Sequence, residues 1–235
     1  MKKSLLTFLV STLIMMSASA QDSTFISHTY LGIKAGYNYG TVTMAHALQR
    51  INSVEGYLPG FHFGLIGINY LEKNIGLQVE LNYTQKGYSQ ITELGGPKYE
   101  NTLKYIELPI YMNVYVGRKK TRLFFNLGTY AKYLIGSTPP SGTPGDNAQF
   151  DLFPYEPDRD RKLGYGLIGG GGIYRDFSFG TIMIQGEFAY GFSNILDPVT
   201  EDSGIPNISN LLTSYVSVGY MIRLDGMPQK IVPRE

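Results

Sequence analysis

Ile75-Gly76-Leu77-Gln78-Val79-Glu80-Leu81-Asn82-Tyr83-Thr84-Gln85-Lys86-Gly87 decides the fold. Leu77, Val79, Leu81 and Tyr83 fall on one face of an extended chain, and Gly76, Gln78, Glu80, Asn82 and Thr84 on the other. A strict period of two is the signature of a β-strand with unlike faces. The polar face carries Gln, Glu and Asn rather than the Lys/Glu mixture of a solvent-facing sheet.

The pattern recurs on both sides of this stretch. Between Thr102 and Val116, Ile106, Leu108, Ile110, Met112 and Val114 oppose Tyr105, Glu107, Pro109, Tyr111 and Asn113. Thr121 to Ile135 sets Leu123, Phe125, Leu127, Ala131 and Tyr133 against Arg122, Asn126, Gly128 and Lys132. Thr181 to Phe192 and Leu211 to Leu224 repeat the pattern, and three less regular runs cover Tyr30–Tyr39, Gly60–Asn69 and Leu163–Tyr174. The count is eight strands, an even number as in single-chain bacterial barrels.

Four connections are long (Thr41–Pro59, Tyr88–Asn101, Gly136–Lys162, Ser193–Asn210) and three short (Leu71–Asn74, Gly117–Lys120, Arg175–Phe179), in strict alternation. Transmembrane barrels have this asymmetry of long outer loops and short periplasmic turns. The fold expected is an all-β, eight-stranded, antiparallel up-and-down transmembrane β-barrel over 30–224. Residues 1–20 read as a signal peptide: Lys2-Lys3, an apolar run from Leu5 to Met16, then Ala18-Ser19-Ala20 before the cut. A short periplasmic segment, 21–29, and a periplasmic tail, 225–235, complete the chain. The location expected is the outer membrane of a Gram-negative bacterium.

Composition agrees. Charged residues make up 17%, there are 19 Tyr and 28 Gly, and Cys is absent. The formal net charge of +1 falls to −1 without Lys2 and Lys3, which gives no basic footprint for nucleic acid.

In hydrocarbon a sheet must close on itself, and its lipid face must be apolar. The polar face is therefore the inside, and at eight strands side chains fill it. Lys34, Arg122, Lys132 and Arg223 are expected to meet Glu80, Glu107 and Glu187 there in a nearly neutral network, with Arg122 and Lys132 nearest in sequence to Glu80 and Glu107. A plugged lumen argues against a general pore.

The run from Ile75 to Gly87, with its Glu80-x-x-Tyr83-x-x-Lys86-Gly87, resembles the third-strand motif of the PorT-like outer-membrane β-barrel family of Gram-negative bacteria. Tyr105-Ile106-Glu107-Leu108-Pro109 resembles the opening of the fourth strand. Phe125-Asn-Leu-Gly128-Thr-Tyr130 and Tyr215-Val-Ser-Val-Gly219-Tyr220 are similar to the fifth and eighth. The resemblance spans about Tyr30 to Leu224 and implies an outer-membrane barrel. The namesake belongs to the type IX secretion apparatus, so a place in a secretion or transport complex is the alternative role.

Other motifs point elsewhere only weakly. Gly164-Tyr-Gly166-Leu-Ile-Gly169 matches a dinucleotide fingerprint, but a strand rather than a helix follows. Its glycines fit bending of a small barrel. His28, His46 and His62 lack metal-site spacing, and only His46 and His62 fall near an outer rim where a hydrolase could act. No catalytic, metal or cofactor site is expected. The third outer loop offers Phe150, Phe153, Tyr155, Asp158, Arg159, Asp160 and Arg161 as a partner-binding surface. The partners expected are outer-membrane lipid, the machinery that inserts barrels, and a protein met by the outer loops.

Overall fold

A computed structural model describes residues 28–45, 54–91, 98–117, 120–141, 153, 155–156, 158–197 and 206–224. Residues 1–20, read above as a signal peptide, and residues 225–235, read as a tail, lie outside these residues. The strands are β1 (His28–Ala45), β2 (Val54–Tyr70), β3 (Ile75–Ile91), β4 (Lys98–Val116), β5 (Thr121–Ser141), β6 (Leu163–Phe177), β7 (Gly180–Gly191) and β8 (Ile208–Arg223). Each pairs antiparallel with its neighbours in sequence, and β8 closes on β1. The eight-stranded antiparallel barrel expected from the alternation is the fold observed.

Register fixes the shape. Stepping through cross-strand partners from Tyr30 leads through Ile68, Gln78, Tyr111, Gly128, Ile168, Ala189 and Thr213 to Gly40. One circuit thus returns to β1 ten residues nearer its outer end. A stagger of this size over eight strands corresponds to strands tilted about 40° from the barrel axis. Residues level with one another are therefore not register partners, a point that decides which charges meet.

The faces separate as the period-two pattern demands. Leu77, Val79, Leu81, Ile106, Leu108, Ile110, Val216 and Val218 point outward and are exposed. Gln78, Glu80, Asn82, Glu107, Asn113, Gln185 and Ser217 point inward and are buried. Aromatic residues crowd both borders of the apolar band: Tyr37, Tyr39, Phe61, Tyr133 and Tyr165 towards the long connections, the outer end in the orientation expected above, and Phe177, Phe179 and Tyr220 towards the short turns, the periplasmic end in that orientation.

Strand ends differ from the sequence reading. β1 runs on to Ala45, β3 to Ile91 and β5 to Ser141, while β2 begins at Val54 and β4 at Lys98. Above the lipid the outward face need not be apolar, so the alternation fades while the ladder of hydrogen bonds continues. At the periplasmic end, Gly117 (φ 136°) and Gly180 (φ 148°) border short turns in a conformation that side chains with a Cβ rarely adopt.

Candidate functional site

The lumen is built in layers. Nearest the periplasm, Tyr30, Ile66, Ile68, Tyr70, Phe124, Tyr174, Met183 and Met221 form a buried apolar cluster. Phe124 and Tyr174 stack with ring centroids 4.0 Å apart. Beneath it Arg122 holds Asp176 through two contacts of 2.7 and 3.0 Å. The guanidinium lies over the rings of Tyr115, Tyr174 and Tyr30 at 5.0, 5.6 and 5.8 Å.

At mid-height Lys34 Nζ stands between two carboxylates, 2.6 Å from Glu80 Oε2 and 3.1 Å from Glu187 Oε2. Glu80 also accepts from Gln78 Nε2 (2.7 Å) and Asn82 Nδ2 (2.9 Å), both its neighbours on the inner face of β3. Above it, Lys86 Nζ is 2.6 Å from Glu107 Oε1. Thr84 and Tyr215 donate to the other carboxylate oxygen of Glu107, at 2.8 and 3.2 Å. Pairing and hydrogen bonding of this kind offset the cost of taking the charges out of water.

The partners differ from the sequence expectation. Glu80 meets Lys34 across the barrel and Glu107 meets Lys86, rather than Arg122 and Lys132. The stagger is the reason: it leaves Arg122, near the start of β5, level with Tyr30 and the periplasmic cluster. Arg223 is corrected as well. It lies on the inward parity of β8 but at the exposed periplasmic end, with its guanidinium 2.6 Å from His28 Nδ1, outside the lumen network. Lys132 is buried, and its Nζ makes no hydrogen bond. The residues missed were Lys86 and Asp176. Carrying the alternation from Gln78 through Thr84 one step further places Lys86 inside.

At the outer end, described residues of two loops pack onto the strands. Tyr88, Leu103, Tyr105, Leu134, Tyr155, Ile195, Leu211 and Val42 form a second buried cluster. Tyr155 and Ile195 come from the third and fourth outer loops. Tyr88 Oη donates to the Phe153 carbonyl (2.8 Å), and Phe153 N donates to Gln90 Oε1 (3.1 Å). Asp160 ties the two loops together. Its carboxylate accepts from Arg159 Nε (2.7 Å), Glu156 N (2.7 Å) and Asp197 N (3.0 Å). That hydrogen bond to Asp160 holds the Arg159 guanidinium above its ordinary range. Burial pushes the Tyr155 phenol up to about 12.

This alters the picture of the third loop. Tyr155 and Asp160 are buried and serve the cap instead of facing a partner, because the described part of the loop packs against the barrel mouth. Phe153 and Arg159 are half-buried, and Asp158 and Arg161 are exposed. Phe150 lies outside the described residues. Asp160→Ala is expected to loosen the cap. Losing charge-assisted hydrogen bonds worth roughly 1.5–3 kcal/mol should speed tryptic cleavage after Arg159 or Arg161 at least about tenfold. Timed digestion followed by mass spectrometry measures it, and an unchanged rate would remove Asp160 from this role.

The other motifs are placed too. Gly164, Gly166 and Gly169 lie within β6, Gly166 and Gly169 paired to a strand on each side and Gly164 to β5. His62 is not at a rim: it is 2% exposed inside the lumen, its Nε2 2.8 Å from Ser217 Oγ and its ring edge-on to Tyr215. His28 is at the periplasmic end, and His46 lies outside the described residues. Among the described residues no three His, Cys, Asp or Glu side chains cluster to hold a metal.

An apolar outer wall, aromatic borders, a polar filled interior and full closure define an integral β-barrel of the outer membrane. The chain belongs to the outer membrane protein beta-barrel domain family, whose model matches residues 19–197. None of the curated proteins matches it. Solved structures similar to it include the outer membrane protein OprG from Pseudomonas aeruginosa, at 10% identity over 83% of this chain and 96% of that one, TM-score 0.46. Neisserial surface protein A is similar at 12% identity over 84% and 99%, TM-score 0.44. Ail of Yersinia pestis is similar at 13% over 82% and 98%, TM-score 0.41.

Proposed function

We propose that this protein is a non-catalytic interaction protein, anchored by its barrel and working through the surface its outer loops present. The carrying observation is the lumen. Among the described residues, two apolar clusters with paired charges between them occupy it, which speaks against an open aqueous path. The cap adds support: loops three and four are held to one another through Asp160, so the outer surface is built rather than merely trailing.

The PorT-like reading is the finer assignment, and one observation favours it. Glu80 and Lys86 of the first motif and Tyr105 and Glu107 of the second all enter the lumen, and Lys86 pairs with Glu107 across β3 and β4. The quoted motifs are thus the parts that hold this barrel's interior together. On that reading the partner belongs to a secretion or transport complex.

Reconstituted protein is expected to give no steady single-channel steps in planar bilayers, and a stable conductance would overturn the sealed-lumen reading. A photo-crosslinking residue at Asp158 or Arg161 in intact cells should capture a discrete protein band, identifiable by mass spectrometry. Its absence at both positions, with capture from the periplasmic turn at Lys73 instead, would place the working surface on the other side. Orientation has its own check. Asp158→Cys should react with an impermeant thiol reagent on whole cells, and Lys73→Cys only after the outer membrane is opened.

A further inference from the structure

Lys132 lies on the inner face of β5, opposite Glu107 of β4 and Gly164 of β6. It is 3% exposed, and its Nζ has no hydrogen-bond acceptor. The Nζ lies over the ring of Tyr105, 5.0 Å from its centroid. Space for the side chain is specifically made, since a Cβ on Gly164 would fall 2.5 Å from Lys132 Cε.

Glu107, the one carboxylate beside it, is already engaged by Lys86, Thr84 and Tyr215. Among the described residues the upper lumen therefore sets two lysines, Lys86 and Lys132, against one glutamate. Tyr130, Ile168 and Tyr215 stand between this level and the Lys34 group, where both carboxylates are turned to Lys34. Three buried hydroxyls have no partner: Tyr130 Oη, two residues back on the same face of β5, Tyr155 Oη, from the cluster that also holds Tyr105, and Thr213 Oγ1. A desolvated ammonium is costly unless an anion answers it. Hydroxyl donors with no acceptor ask for the same thing.

We propose that the upper lumen binds a small monovalent anion beside Lys132, with the hydroxyls of Tyr130 and Tyr155 completing its shell. The size limit comes from the packing above: Tyr88, Leu103, Tyr155, Ile195 and Leu211 close over this level, all at most 6% exposed. A halide fits that description and a bulky organic acid does not. Bound there, the ion couples the charge of the lumen to the loop-three cap through Tyr155.

The test uses the full mature chain refolded in detergent micelles. Chloride is varied at constant ionic strength, with gluconate, too large for the site, as the balancing anion. The temperature at which the compact band is lost in unboiled gels is expected to rise roughly 3–5 °C for each tenfold increase in chloride once the site begins to fill. Lys132→Met should abolish that dependence. A native protein indifferent to chloride, or a variant that responds equally, overturns the proposal. Should Lys132→Met fail to fold, crystals of the native protein soaked in bromide decide the matter. An anomalous peak beside Lys132 Nζ supports the site, and a lumen without one removes it.

Discussion

Lys34→Met is expected to leave little folded barrel. The substitution keeps the length of the side chain but removes the one cation that Glu80 and Glu187 share at mid-height. Two carboxylates would then face each other with no cation between them. Removing one partner of a buried pair typically costs about 3–5 kcal/mol, and here a single change strands two anions. The compact band in unboiled gels should disappear at a much lower temperature, or never form on refolding. Arg223→Met, at the exposed periplasmic end, should leave the transition where it was. The cause can be separated from packing. Adding Glu80→Gln and Glu187→Gln to Lys34→Met removes the stranded charge at nearly constant volume and should recover much of the loss. No difference between the single and triple variants would mean that the Lys34 group is not the electrostatic keystone of the lumen.

Ile110→Arg should be the most damaging single change on the outer wall. Ile110 is 43% exposed and sits about midway up the barrel, close to the level of Lys34 and Glu80. An arginine facing hydrocarbon at the midplane costs roughly 2–4 kcal/mol, against about 0–1 near an interface. Tyr57→Arg supplies the comparison: Tyr57 is 64% exposed near the outer end of β2, beyond the aromatic border. Urea titration of vesicle-inserted protein should show a large loss for the first and almost none for the second. Equal losses would mean that the apolar band is not where the register puts it.

How much of this was legible in the sequence follows from physical rules. Lipid imposes a strict alternation, so Leu77 to Tyr83 and Ile106 to Val114 announced both strand and facing. Strand number and the order of long and short connections came with them. Which inward charges meet was not legible, because it depends on stagger, a property of the closed ring that no single strand carries. Arg122 and Glu107 look like neighbours along the chain, yet tilt puts them at different heights. Lys86 was within reach of the period-two rule, whereas Asp176 was not, since its role depends on Arg122 coming level with the end of β6. The third loop misled for another reason: aromatic residues in a long loop look the same whether they meet a partner or fold back into the mouth, as Tyr155 does.

The unequal heights of β5 and β6 carry a further consequence. β5 continues to Ser141, but its pairing with β6 begins only at Tyr133 opposite Leu163. Among the described residues, the stretch from Ile135 to Ser141 thus pairs with β4 alone, a free selvedge standing clear of the membrane. Such a border is adhesive, because any extended chain can zip onto its unused amides and carbonyls, and crowded copies of one protein are the readiest supply. Pro139 and Pro140 stand in this stretch and offer no amide hydrogen. The diproline thus leaves this stretch two donors short for such pairing.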